Sequence, residues 1–437
     1  MSFPTEEVVV VPPRGMWGRV LELRHHPTHA RIMDGSATML VGSAFVSLLN
    51  FAFNLAAARM LGPAEFSHAA AAVTLLMLAS CINLAFQLVT AKLIARSQDP
   101  SIRAGIYATL LKRSWVIGIA LGSTVALSSG PIAHYLRLPS PQYMLVLAVG
   151  LVFYVPLGAK RGGMQGTCKF RRLATSLTSE SLVKLLTAVA LIWGGVGVMG
   201  AFIGISASVI VAFLLPAADQ ELRIEAAPHT PAPFSEALQA IIFFVGQVVI
   251  NNIDILMVKH FFAADLAGLY AAVALVGRLL YFATWSVSSA MFPLSAGERD
   301  EKDSRRVLVI SLGFVTALAV VFVSFLAAFP QFIIDSLFGA GFHVPNTDVA
   351  SLLTMNALEV SIYAVVVVLI TYEMSRRVAN TAWIQLLVSG AVVIGVYGFH
   401  STLMQVIIVQ QVLLIALLIA VSTPFFRRSH AYLKEAV

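Results

Sequence analysis

Asn251 to Arg299, NNIDILMVKHFFAADLAGLYAAVALVGRLLYFATWSVSSAMFPLSAGER, places polar groups where the surrounding residues are built for hydrocarbon. Asn251, Asn252, Asp254, Lys259 and Arg278 lie in or at the edge of two apolar runs with helical patterning. An ionised side chain near the middle of a bilayer costs roughly 2.5 to 3.5 kcal/mol on insertion scales, so such groups face a protein interior or a wet cavity. On a helix, residues three, four or seven apart share a face. Gln247, Asn251 and Asp254 therefore form one stripe, and Tyr270, Ala274, Arg278, Tyr281 and Trp285 form a second that sets a cation among aromatics. Asn50 with Asn54, Asn83 with Gln87, and Asn356 with Glu359 and Tyr363 make shorter stripes.

A guanidinium in mid-span needs an anion. Asp254 is the internal candidate for Arg278, and a phosphate-type oxyanion is the external one, because its oxygens match the planar two-pronged donor. Asp254 and Glu359 are the carboxylates suited to ion coupling, since a buried acid takes up a proton more readily than an exposed one. Arg59 and Lys259 lie near helix ends, where anchoring at the membrane interface competes with anion binding. For the amides the competing role is helix packing, worth about 0.6 kcal/mol each on average in membranes. Tyr281 and Trp285 serve equally as apolar filler or as sugar-stacking surfaces. No catalytic set emerges: there is no phosphate-binding GxxxxGK[ST] loop, no metal-ligand spacing of His and Cys, and no Ser, His and Asp arrangement. No cofactor is expected, and transport would draw on an ion gradient, the membrane potential or downstream consumption.

The elements that position these residues are membrane-spanning. Of 437 residues 58% are hydrophobic and 12% charged, and the mean hydropathy is +0.85. A soluble domain carries roughly 25% charged residues. Apolar runs of about 20 residues, enough to cross a core of about 30 Å, fall near 37–59, 66–91, 114–135, 142–159, 173–194, 197–217, 235–258, 263–293, 307–328, 351–371, 379–398 and 402–424. With the N-terminus inside, 24 of the 29 Lys and Arg sit in cytoplasmic segments, against Arg59, Arg137 and Lys259 outside and Lys184 and Arg278 within helices. That asymmetry predicts an even number of spans with both termini cytoplasmic. The net charge of +7 is then a property of the inner loops and not a nucleic-acid footprint. Cys81, within a span, and Cys168, on a cytoplasmic loop, cannot meet.

An offset of 200 residues aligns Asn54 with Asp254, Arg59 with Lys259, and Glu65 with Asp265. The Pro-rich segment 220–237, QELRIEAAPHTPAPFSEA, breaks the chain near its midpoint. These features predict a cytoplasmic arm at 1–35, a six-helix bundle at 36–217, a linker at 218–234, a second bundle at 235–424 and a tail at 425–437, with the substrate path between the halves. The arm's Arg14, Trp17, Arg19, Arg24, His25 and His26 suit an interfacial or disordered segment. Gly62 and Pro63 in ARMLGPAEF predict a tight outer turn. The segment 158–186 reads as a loop of flexible glycines with a basic cluster, leading into a helix on which Glu180 and Lys184 are spaced to pair.

LGPAEF, MQGTCKFRRLA at 164–174, NNIDILMVKHFF, AGLYAAVALVGRLL and MFPLSAGER resemble the Wzx-type polysaccharide-transport branch of the flippase superfamily that also holds multidrug and peptidoglycan-precursor exporters. The resemblance covers nearly the whole chain and is less specific beyond about residue 300. Ser67 stands where the family often has glycine. It implies an all-α polytopic membrane protein of about 12 transmembrane helices, in two six-helix bundles forming a V around a central cavity. It also implies translocation of an undecaprenyl-diphosphate-linked oligosaccharide to the outer leaflet of a bacterial cytoplasmic membrane. Expected partners are that substrate, membrane lipids, and polymerase and chain-length proteins of the same pathway. Two alternatives stand beside it. A cation-coupled multidrug antiporter would use Asp254 and Glu359, and a membrane-embedded glycan polymerase or ligase would need outer-loop chemistry, for which the longest outer loop, about 329–350, offers only His343.

Overall fold

The computed structural model describes residues 27–215, 234–297, 301–345, 347–376 and 381–435, so Arg14 to His26, most of the predicted linker and position 346 lie outside the described residues. The described residues build thirteen α-helices and no strand. They are α1 (Pro27–Arg96), α2 (Pro100–Leu127), α3 (Ser129–Tyr135), α4 (Gln142–Gly166), α5 (Phe170–Leu191), α6 (Met199–Leu214) and α7 (Phe234–Phe261). After them come α8 (Ala264–Gly297), α9 (Glu301–Ala328), α10 (Pro330–Leu337), α11 (Val349–Arg376), α12 (Thr381–Gly398) and α13 (Leu403–Glu435).

Eight helices are long and apolar enough to cross a membrane, and Met199–Leu214 and Trp383–Gly398 are shorter apolar ones. A count of twelve passes takes these ten together with α7 and with α1 counted twice, because α1 breaks at Gly62 (φ 72, ψ 175). A left-handed φ suits glycine, and Pro63 restarts the helix with no lost donor. The chain reverses there. Gly42 packs on Ala174 at the start of α5, while Ala91 and Ile94 pack on Gly166 at the end of α4, so both ends of α1 lie at one end of the molecule. That end is called the near end, and the Gly62 end the far end. Large apolar side chains such as Trp193, Leu127, Phe314 and Val321 stand on the outer surface. Apolar exposure on this scale suits lipid and not water, and the protein is a multi-pass membrane protein.

Several predicted boundaries move: the third helix-forming run begins at Pro100 and ends at Leu127, and the last helix continues to Glu435, through most of the expected tail. The first helix starts at Pro27, inside the expected arm. The fourth run continues through the expected basic loop to Gly166, which makes Lys160 and Arg161 buried helical residues. Its glycines serve packing rather than flexibility: Gly158, Gly162 and Gly166 lie against the backbone oxygens of Asn83, Gln87 and Ala91, one turn apart on each helix. Small residues let helix backbones approach where side chains would hold them apart. α1 also packs against α7 and α8, and so joins the earlier helices to the later ones.

Candidate functional site

The late helices α7, α8, α11 and α13 enclose a small polar cavity lined by Asn251, Asp254, Arg278, Tyr281, Asn356, Glu359 and Tyr363. Its free volume is about 30 Å³, room for a water or two. Asp254 accepts a hydrogen bond from the Tyr270 hydroxyl at 2.8 Å through Oδ2, and its Oδ1 is buried with no partner among the described residues. Arg278 donates from Nη2 to Oδ1 of Asn252 at 3.0 Å. Asp254 is near enough for its charge to act on Arg278. Glu359 accepts from Asn356 Nδ2 at 3.4 Å, and Asn356 Oδ1 is unpartnered. Gln247 Nε2 donates to the Tyr281 hydroxyl, and Tyr281 stacks on Tyr363 with ring centroids 6.1 Å apart. The cavity therefore holds two carboxylates, one guanidinium and free acceptor oxygens in a space of ionic size.

A far larger cleft, about 800 Å³, lies between α1, α4 and α5 on one side and α8 on the other, towards the near end. Its walls carry Ser43, Ser47, Gln87, Gln165, Ser286 and Ser289 among Phe51, Phe170, Phe282 and Trp285, with no charged side chain among its lining residues. Gln87 donates to Gln165 along the α1–α4 wall at 3.0 Å. Phe282 and Trp285 stand four and seven residues after Arg278 on α8, so Arg278 shares their face one turn deeper.

The early helices hold a separate buried network. Arg161 donates to Glu180 at 2.6 Å and to Ser176 Oγ and O at 3.1 Å. Lys184 donates to Asn50 Oδ1 and lies over the Phe53 ring, so the expected Glu180–Lys184 pair is replaced by Glu180–Arg161 and Lys184–Asn50. Arg161 wins because its fork delivers several bonds at once to a carboxylate and a carbonyl. Asn54 donates to its own helix at Asn50 O, as Asn251 does at Gln247 O.

Arg59 and Lys259 line neither space. They sit in a seam that closes the far end, where polar side chains cross between early and late helices. Arg59 donates to Leu337 O at 2.6 Å and to Ser336 O, at the end of α10. Arg137 donates to Phe262 O at 3.1 Å, just past the end of α7. His260 Nδ1 meets Tyr135 O at 2.8 Å, at the end of α3, and its ring stacks on that tyrosine. Lys259, 1% exposed, donates to Ser67 Oγ at 2.7 Å. Gly268 completes the closure, since a methyl there would overlap the Pro63 carbonyl oxygen.

The predicted residues thus divide. Asp254, Asn251, Arg278 and Tyr281 share the small cavity with Tyr270 and Gln247 behind them; Trp285 lines the cleft; Asn50 and Asn54 belong to the early network; Arg59 and Lys259 belong to the seam. Among residues the stripes did not single out, Asn252 holds Arg278 and Gln165 faces Gln87. Asn252 stands out in sequence as a polar residue in an apolar run, but its pairing with Arg278 does not, because an amide's partner on another helix leaves no periodic mark.

The model of one family, described as polysaccharide biosynthesis protein, matches residues 56–345, more than half of the chain. The chain belongs to this family. No curated protein matches it significantly. Among solved structures, an inward-facing multidrug resistance MATE family transporter of the MOP superfamily superposes with a TM-score of 0.74 at 15% identity, covering 89% of this chain and 96% of that one. The outward-facing conformation of a MATE transporter gives 0.65 at 16% identity over 94% and 98%. Lipid II flippase MurJ, in an inward closed conformation, gives 0.70 at 13% identity over 88% and 86%. At such identities the likeness is one of fold, that of MOP superfamily transporters.

Proposed function

We propose that the protein is a flippase that carries an undecaprenyl-diphosphate-linked oligosaccharide from the inner to the outer leaflet of a bacterial cytoplasmic membrane, between two six-helix halves. The observation that carries this reading is the lining of the large cleft: hydroxyls, amides and aromatic faces without a charge. A glycan's many hydroxyls each cost several kcal/mol if moved unpaired into hydrocarbon. Serine and glutamine side chains satisfy them, and aromatic rings cover the apolar sugar faces. Membership of a polysaccharide biosynthesis family agrees with this cargo, and the superposition on a lipid II flippase supports a lipid-linked one. Arg278, which lines the small cavity one turn beyond Phe282, is where the diphosphate is held once that cavity opens to the cleft. Asp254 and Glu359, in a cavity of ionic size, are the coupling carboxylates.

A multidrug antiporter for organic cations is the second reading, favoured by the MATE superposition. Such a cargo needs an acid free of a competing cation, and here Asp254 and Glu359 share their cavity with Arg278. The deciding experiment reconstitutes the full chain in vesicles with a fluorescent lipid-linked oligosaccharide and, separately, with an organic cation. Protein-dependent loss of the lipid from the loaded leaflet supports the flippase. Uptake of the cation alone would replace it with the antiporter.

A further inference from the structure

The far-end seam is held shut by Lys, Arg and His side chains with no anionic partner among the described residues. Arg59, Arg137 and His260 each bind a main-chain oxygen at the end of a helix from the opposite half, where the helix dipole leaves partial negative charge. Lys259 has only a hydroxyl among the described residues, although a buried ammonium has three hydrogens to place. Arg137 lies near enough to Lys259 to repel it. His68, beside Ser67, is buried within reach of the Lys259 charge, and its Nδ1 has no partner among the described residues. Among the described residues no ion pair neutralises any of these groups. Asp335, next to Ser336 on α10, is exposed and meets His343 at 2.7 Å.

We infer that this seam is a latent oxyanion site: when the halves part, Lys259, Arg59 and Arg137 give up their neutral oxygens and take a phosphate or diphosphate between them. The closed seam leaves the buried Lys259 ammonium with one hydroxyl partner among the described residues, and a multivalent oxyanion satisfies the donors left idle. Charge-assisted bonds to phosphate oxygens are stronger than those to a serine hydroxyl or a carbonyl. Anion binding and opening are therefore coupled, since a ligand favours the state for which it has greater affinity. The inference extends the flippase reading by giving the diphosphate a second stop, at the far end, but its geometry does not depend on the cargo.

The test uses the full chain in lipid nanodiscs, with Cys81 and Cys168 replaced by alanine and spin labels at Leu127→Cys and Phe399→Cys, two exposed far-end positions in opposite halves. Inorganic pyrophosphate is titrated against potassium chloride at equal ionic strength. The expected result is a saturable shift to longer label separations with pyrophosphate only, weakened at least tenfold by Lys259→Gln and retained by Lys259→Arg. An absent shift in the unsubstituted seam, or an equal shift in Lys259→Gln, would overturn the site. Because the probe carries neither lipid nor sugar, failure here leaves the flippase assay standing, and failure of that assay leaves this result intact.

Discussion

Arg278 donates to Asn252 at 3.0 Å, while the carboxylate two residues further along, Asp254, is held by Tyr270 at 2.8 Å. The guanidinium is thus steadied by a neutral oxygen and keeps donors for another acceptor, with an acid close by but not locked to it. That arrangement suits a residue that exchanges partners.

Arg278→Ala is expected to abolish export of the lipid-linked oligosaccharide while the protein still reaches the membrane. Hydrogen bonds to charged groups are worth about 1.5 to 3 kcal/mol, so loss of one prong in Arg278→Lys slows export roughly ten- to a hundredfold, at about 1.4 kcal/mol per factor of ten. The double variant Arg278→Ala with Asp254→Ala decides the role. Recovered export would mean that Arg278 only neutralises Asp254, and the diphosphate assignment would fall.

Asp254→Asn and Glu359→Gln should each flatten the pH dependence of export in vesicles, because each removes a proton-accepting group from the small cavity. Unchanged profiles in both would leave coupling without a carboxylate.

Glu180→Gln is a folding variant. It leaves the buried Arg161 charge without its counter-ion, and breaking a buried pair by removing one partner costs about 3 to 5 kcal/mol. A melting temperature in detergent well below that of the unaltered protein is the expected outcome, with Lys184→Met milder. A normal melt combined with lost export would move Glu180 into the transport path.

Gly268→Ala should wedge the far end apart, because the added methyl meets the Pro63 carbonyl oxygen. Cysteine at Ser67, buried in the closed seam, should then react with an impermeant thiol reagent several times faster than it does in the Gly268 background. Equal rates would show that the seam accommodates the methyl elsewhere.

The predicted topology puts this far end outside the cell. Leu127→Cys should label from outside in intact cells, and the exposed native Cys168 should not. Labelling of Cys168 would invert the orientation.

Much of the fold is legible in the sequence. Apolar runs of membrane length mark the helices because lipid imposes a minimum length on every pass, and Gly62–Pro63 marks the reversal because few other residues fit that backbone. Helical spacing also groups Gln247, Asn251 and Asp254 correctly on one side of α7. Partners are a different matter. Periodicity assigns a residue to a face but not to the helix opposite, so Glu180 looked matched to Lys184 until Arg161, nineteen residues before it, proved to be within the helix and not in a loop. For the same reason eleven polar candidates that read as one cavity separate into a cavity, a cleft, an inner network and a seam. At the offset of 200 residues, Arg59 reaches the end of α10, whereas Lys259 bonds Ser67 and its neighbour His260 is the residue that reaches the end of α3.

The glycine column of α4 bears on how motion travels. With Gly158, Gly162 and Gly166 against the main chain of α1, no layer of side chains lies between the two helices to repack, tilt or cushion a shift. A close-packed interior transmits displacement instead of absorbing it. The same stretch of α1 presents Gln87 to the cleft, and its other end begins at Pro63 in the seam. A cargo that pushes on Gln87 and Gln165 therefore moves one stiff lever whose far tip is the lock.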